Sequence, residues 1–155
     1  LYPGGAHRRH QPIFHPSPSG GLVSARILII DDEPAVRRTL ERALQSLNYQ
    51  VVSAGDPHLA YAMLDEMDVD LVLLDLHLQQ ISGDVLFLAL VRCWPQLRGR
   101  VVLMTGDTFA ENSQWPRELV SCPILLKPFT LETLGNVVRA ALAEVEGEKR
   151  ANGHA

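Results

Sequence analysis

Four short apolar runs in this chain each end at a polar residue able to do chemistry. Ile27–Ile30 stops at Asp31 and Asp32, Asp70–Leu74 at Asp75, Arg100–Met104 at Thr105, and Pro123–Leu126 at Lys127. A short continuous apolar run is the mark of a strand buried on both faces, as in a parallel sheet. Parallel neighbours need crossover connections, and the stretches between the runs have helical patterning. Pro34 opens a helix whose Val36, Leu40, Ala43, Leu44 and Leu47 recur at helical spacing, and Asn48 is its expected stop. Gln50–Ala54 reads as another strand. Asp56–Met67 reads as a helix with Asp56 as N-cap and Pro57 in the first turn. Ser82 is the expected cap of a helix to about Cys93. Thr130 is that of a last helix carrying Leu131, Leu134, Val138, Ala141, Leu142 and Val145. Residues 107–121, broken by Pro116, predict a short or irregular fourth helix.

This alternation predicts an α/β domain with helices on both faces of a parallel sheet. Its size suits a flavodoxin-like (βα)5 three-layer sandwich with strand order 2-1-3-4-5. Such sheets bind ligands beyond the carboxyl ends of their strands, where strands 1 and 3 diverge. The expected organisation is a flexible N-terminal linker over residues 1–25, a folded domain over 26–146 and a disordered tail over 147–155. The first segment is rich in Pro and Gly. His7, His10 and His15 lie there without the rigid frame that metal ligands need, and Arg8 and Arg9 read as linker charges and not as a site for an anionic partner. The chain opens on Leu1 and not Met, so a piece of a longer protein is expected.

Composition excludes several function classes. The formal net charge of −4 gives no support for a nucleic-acid surface or a polybasic membrane patch. No apolar run approaches the roughly 18 residues of a membrane span, and no apolar signal-peptide core is present. Two cysteines, Cys93 and Cys122, have no metal-type spacing and fit a reducing cytoplasm.

The polar residues at the strand ends should converge on one edge. Each alone has a plain explanation: an Asp after a strand is commonly a cap or turn residue, and Lys127 before Pro128 could be a solvated loop charge. Together, Asp31, Asp32 and Asp75 would repel unless a cation intervenes. Mg²⁺ is the usual hard ion for carboxylates plus phosphate. Lys127 would supply a point charge and Thr105 a hydroxyl. The set reads as Mg²⁺-assisted phosphoryl transfer onto Asp75.

The motifs Ile-Leu-Ile-Ile-Asp31-Asp32-Glu33-Pro34, Asp70-Leu-Val-Leu-Leu-Asp75-Leu-His-Leu followed by Gly83, Val-Val-Leu-Met-Thr105-Gly106 and Leu-Leu-Lys127-Pro128-Phe129 occur in order. From about Arg26 to Val145 the chain resembles the receiver domain of two-component response regulators. The resemblance implies that Asp75 is the phosphoacceptor. It implies that Asp31 and Asp32 form the acidic pair, one on Mg²⁺ directly and the other through water, and that the His77 backbone carbonyl is a further metal ligand. It also implies that Thr105 swings toward the phosphoryl group, that Lys127 contacts its oxygen, that the small Gly106 leaves room for a phosphodonor histidine, and that Lys127–Pro128 is cis. The implied partners are a histidine kinase or a histidine phosphotransfer domain. The implied function is a signalling phosphoacceptor that catalyses only its own phosphorylation and dephosphorylation and then switches its partners.

The chain departs from the family in places. Ile124 stands three residues before Lys127, where the family often has an aromatic residue or His, so a rotating ring there cannot be the output switch. Gln79 replaces the frequent Pro after Leu78, which predicts a more mobile Gln79–Ser82 loop. His77 and Asp107 occupy positions where the family varies its self-dephosphorylation rate. The Thr-Gly-Asp stretch and Trp115-Pro116 resemble receivers at the C-terminus of hybrid sensor histidine kinases, so an attached kinase core upstream is the expectation. With no output domain after Ala155, direct DNA binding is not expected. One rival is a degenerate receiver that binds partners without phosphorylation, favoured by Ile124. Another is a phosphohydrolase or nuclease-type enzyme, disfavoured because His77 stands where a second acid would be needed.

Overall fold

The computed structural model of the chain describes residues 24–106 and 115–153. Strands β1 (Arg26–Ile30), β2 (Gln50–Ala54), β3 (Leu71–Asp75), β4 (Val101–Thr105) and β5 (Ile124–Leu126) alternate with helices α1 (Pro34–Ser46), α2 (Pro57–Glu66), α3 (Gly83–Cys93), α4 (Arg117–Val120) and α5 (Leu131–Asn152). All four strand pairings are parallel and the order is β2-β1-β3-β4-β5. This is the flavodoxin-like sheet that the apolar runs predict. The sequence reading missed one element, a single 3₁₀ turn at Pro95–Leu97.

Successive side chains of a strand point to opposite faces, and the two faces of this sheet bury separate cores. Ile27, Ile29, Leu71, Leu73, Val102, Met104 and Leu125 pack on one side with Leu40 and Leu44 of α1 and Leu134 and Val138 of α5. Leu28, Ile30, Val72, Leu74, Val101 and Leu103 pack on the other with Ala60 and Leu64 of α2 and Leu86 and Leu90 of α3. Burying such a side chain is worth roughly 1.5–3 kcal/mol, so the strand register is strongly specified. A slip of one residue would exchange the cores and move every strand-end group.

Local signals set the helix ends. Asp56 accepts a hydrogen bond from the Leu59 N–H at 2.9 Å, and Thr130 Oγ1 accepts one from the Thr133 N–H at 3.1 Å, as N-caps do. Asn48 has φ 65°, a left-handed conformation that Asn tolerates and that ends α1. Ser82 occupies the N-cap position of α3, but its side chain makes no capping hydrogen bond.

One expectation needs adjusting. The disordered tail from residue 147 is not what is found, because α5 continues through Asn152. The apolar stripe stops at Val145, but Glu146, Glu148, Lys149 and Arg150 are good helix formers, and the last two lie where cations suit the helix dipole. The fourth helix is short, as expected, with only four residues. Residues 107–114 lie outside the described residues, as do Asp107 and the segment 1–23 with its histidines and arginines. Among the described residues, no helix is long and apolar enough to cross a membrane.

Candidate functional site

Backbone hydrogen bonds extend the sheet beyond the ends of the strands that carry the site residues. The Asp31 N–H donates to Ala54 O at 3.2 Å, the Leu76 N–H to Met104 O at 3.0 Å and the Lys127 N–H to Thr105 O at 2.8 Å. Ile30 pairs with Leu74, and Leu74 with Leu103, so the ends of β1, β3 and β4 stand level. Asp31, Asp75 and Lys127 share the strand parity of the α1/α5 core, and their side chains meet. Lys127 Nζ lies 3.2 Å from Asp31 Oδ2 and 3.3 Å from Asp75 Oδ2. The Lys127–Pro128 peptide is cis.

Carboxylate oxygens of Asp31, Asp32 and Asp75 all lie within 4.8 Å of one another. Asp31 is fully buried and Asp75 is 3 % exposed. Other groups hold these carboxylates in place. The Glu33 N–H donates to Asp31 Oδ1 at 2.9 Å, the Gln79 N–H to Asp32 Oδ2 at 2.9 Å and the His77 N–H to Asp75 Oδ1 at 3.0 Å. The Gln79 bond ties the start of the Gln79–Ser82 loop to the acidic pair.

Three carboxylates face one ammonium, so negative charge is in surplus. Burial pushes the Asp31 carboxyl above the ordinary Asp value and Asp75 pushes it further, although the Glu33 N–H and Lys127 pull the other way. Burial opposes the charge on Lys127, but Asp75 and Asp31 together hold its pKa above the usual lysine value. Both shifts have the sign of a site short of positive charge. An all-oxygen donor set with excess negative charge fits a hard divalent ion such as Mg²⁺.

The loop after β3 is closed by Gly83. Its N–H donates to Leu76 O at 3.1 Å, and a Cβ on Gly83 would lie 2.4 Å from Leu76 Cα. Gly106 is exposed, and a Cβ there would meet nothing within 4 Å among the described residues. A cleft lined by Asp32, Gly55, Pro57, Leu78, Gln79 and Gln80 opens beside the acidic pair.

Thr105 is 1 % exposed and has the opposite strand parity to Asp75. Its Oγ1 lies 3.3 Å from Nε2 of His77, a contact between side chains that the sequence does not reveal. Arg37 was also missed: its guanidinium donates to the Asp31 carbonyl at 2.7 Å, and a Cβ on Gly55 would collide with it. Helical spacing places Arg37 on α1 but does not say where so long a side chain ends.

Comparisons with known proteins agree with this geometry. Residues 27–139 match the response regulator receiver domain family. The sensor kinase CckA of Brucella abortus is 32% identical over 124 residues, covering 77% of this chain and 13% of CckA. The sensor histidine kinase RcsC of Salmonella typhimurium is 34% identical over 108 residues, covering 70% of this chain and 11% of RcsC. The phosphate regulon transcriptional regulatory protein PhoB of Pseudomonas aeruginosa is 28% identical over 121 residues, covering 78% of this chain and 53% of PhoB. The chain thus spans from about a tenth to about half the length of these relatives. Among solved structures, the chemotaxis protein CheY4 of Vibrio cholerae superposes with a TM-score of 0.69 at 26% identity, covering 76% of this chain and 98% of CheY4. The signal receiver domain of an HD domain-containing protein from Pseudomonas fluorescens gives 0.73 at 26% identity, covering 85% of this chain and 96% of that one. A sequence match over most of the folded core, with the same fold in proteins of similar size, means that the chain belongs to the response regulator receiver domain family of two-component systems.

Proposed function

We propose that Asp75 accepts a phosphoryl group from the phosphohistidine of a histidine kinase or a histidine phosphotransfer domain, and that the domain then changes its partner contacts. The observation that carries this is the meeting of the Asp31, Asp32 and Asp75 carboxylates within 4.8 Å, with the Lys127 ammonium against two of them. An Asp75 oxygen attacks phosphorus. The P–N bond to the donor imidazole breaks, its electron pair stays on nitrogen, and that nitrogen takes up a proton. Lys127 holds a phosphoryl oxygen as charge moves onto it, and the Thr105 hydroxyl donates to another. Attack by water on the acyl phosphate later restores the carboxylate and releases phosphate. The chain catalyses these two steps on itself and turns over no other substrate.

Asp31, Asp32, Asp75 and the backbone carbonyl of His77 would hold Mg²⁺. When bound, the ion would cancel the carboxylate surplus and neutralise phosphoryl charge. The receiver unit runs from about residue 26 to the end of the α5 packing stripe near residue 146, joined to the preceding linker. Similarity to two sensor kinases supports attachment to a kinase core upstream. A cytoplasmic setting goes with this chemistry, and the free thiols of Cys93 and Cys122 support it. The mild net charge supports signalling through protein partners, without direct contact with nucleic acid or membrane.

Incubation of the full chain with acetyl phosphate and Mg²⁺, followed by intact-mass measurement, tests the proposal. A gain of one phosphoryl group is expected, lost in Asp75→Asn and on chelation of the metal. No gain from acetyl phosphate, phosphoramidate or a phosphohistidine donor would instead favour a scaffold that works unphosphorylated, the reading to which Ile124 lends weight.

A further inference from the structure

Thr105 ends β4 and is almost completely buried, and a buried hydroxyl requires a hydrogen-bonding partner. Ile124 pairs with Leu103, packs against the α2/α3 core and has no polar side-chain atom. A polar partner comes from the loop after β3, where His77 Nε2 lies 3.3 Å from the Thr105 hydroxyl. The tautomer of the ring decides which of the two donates. The His77 backbone is itself tied to the nucleophile through its N–H on Asp75 Oδ1. The residue is exposed, so its ring can turn into solvent without leaving a cavity.

We propose that His77 is a positioning residue that holds the Thr105 hydroxyl while Asp75 is unmodified and releases it on phosphorylation, so that this imidazole is the side chain that moves in response. The inference rests on the reading of Asp75 as phosphoacceptor. The anionic oxygens of an acyl phosphate on Asp75 are stronger acceptors than any uncharged group, and Thr105 has the opposite strand parity to Asp75, so a hydroxyl that turns to them leaves the ring, whichever of the two donates. The two contacts therefore compete. The tether opposes the phosphorylated state by the strength of one hydrogen bond and couples the β3 loop to the end of β4. In this chain the coupling replaces the ring that Ile124 lacks.

A double-mutant cycle in the full chain tests this, with Mg²⁺ and beryllofluoride as the phosphoryl mimic and ¹⁹F NMR as the binding readout. His77→Ala keeps the backbone carbonyl and removes only the ring. It should tighten beryllofluoride binding by about three-fold to ten-fold, the worth of one neutral hydrogen bond. The gain should persist in a Thr105→Ser background and vanish in the near-isosteric Thr105→Val background. A second readout is the ¹⁵N shift of the His77 ring, which should move on beryllofluoride binding and, without ligand, in Thr105→Val. An equal effect of His77→Ala in all backgrounds, or a ring signal that stays still, overturns the tether while leaving Asp75 as phosphoacceptor. Failure of the wild-type chain to take either beryllofluoride or a phosphoryl group overturns both.

Discussion

Lys127 and Asp31 are separated by 96 positions in the chain, and their side chains meet at 3.2 Å. The same ammonium reaches Asp75 at 3.3 Å. One lysine on the loop after β5 thus compensates carboxylates at the ends of two central strands. Lys127→Met keeps the length of the side chain and removes its charge. In the ion-free chain this leaves the fully buried Asp31 carboxylate without its cation, and a loss of about 1–3 kcal/mol is expected, typical of stranding a buried charged partner. Urea unfolding with and without Mg²⁺ checks it, and the ion should restore part of the loss. A variant as stable as the wild type without metal would mean that the ammonium does not balance the carboxylates.

Gly83 seals the loop that carries His77 and Gln79. A methyl group there would press on the Leu76 backbone at 2.4 Å, a contact that no rotamer change relieves. Gly83→Ala should therefore destabilise the domain by about 1–3 kcal/mol, the usual cost of overpacking. It should also weaken Mg²⁺ binding, because Leu76 sits between Asp75 and His77. Thermal unfolding and metal titration of the same variant measure the two effects.

Gly106 stands at the exposed rim beyond Thr105, and among the described residues nothing would lie within 4 Å of a Cβ there. Gly106→Leu should leave stability within about 0.5 kcal/mol of the wild type, as for surface changes away from packed groups. Its effect should fall on access. Transfer from a phosphohistidine domain should slow by ten-fold or more, about 1.4 kcal/mol in the barrier, while labelling by acetyl phosphate should change little. Equal slowing with both donors would show that the side chain disturbs the chemistry and not the approach.

Cys122 is partly buried against the α2/α3 core, and its thiol donates to Glu118 O at 3.4 Å. Burial pushes its pKa from 9.0 up to about 11. The folded chain therefore keeps a proton that the unfolded chain releases. The stability linked to this group is complete below pH 9 and declines as pH rises from 9 toward 11. Alkylation at pH 8 should modify the exposed Cys93 well before Cys122, and unfolding should remove the difference. Prompt modification of Cys122 in the folded chain would contradict the burial.

Much of this could be read from the sequence because it is local. Four apolar runs and the stretch Gln50–Ala54 marked the five strands to within a residue, and Pro34, Asp56 and Thr130 marked helix starts by their own backbone chemistry. Alternation of strand and helix forces parallel pairing, and parallel pairing puts every strand's carboxyl end on one edge. Asp31, Asp75, Thr105 and Lys127 were therefore foreseeable as neighbours from chain order and period alone. The end of α5 was not legible, since its last residues keep helical propensity after the apolar stripe stops.

Only the tertiary structure decided which side chains touch. Strand parity turns Asp31, Asp75 and Lys127 toward one core and Thr105 toward the other, and loop closure at Gly83 then brings the His77 ring to Thr105. Arg37 ends on the Asp31 carbonyl because α1 and the chain after β2 pack there together. Secondary structure follows from the pattern of neighbours along the chain. Contacts between long side chains depend on the register and packing of elements far apart in sequence, which no short window of residues encodes.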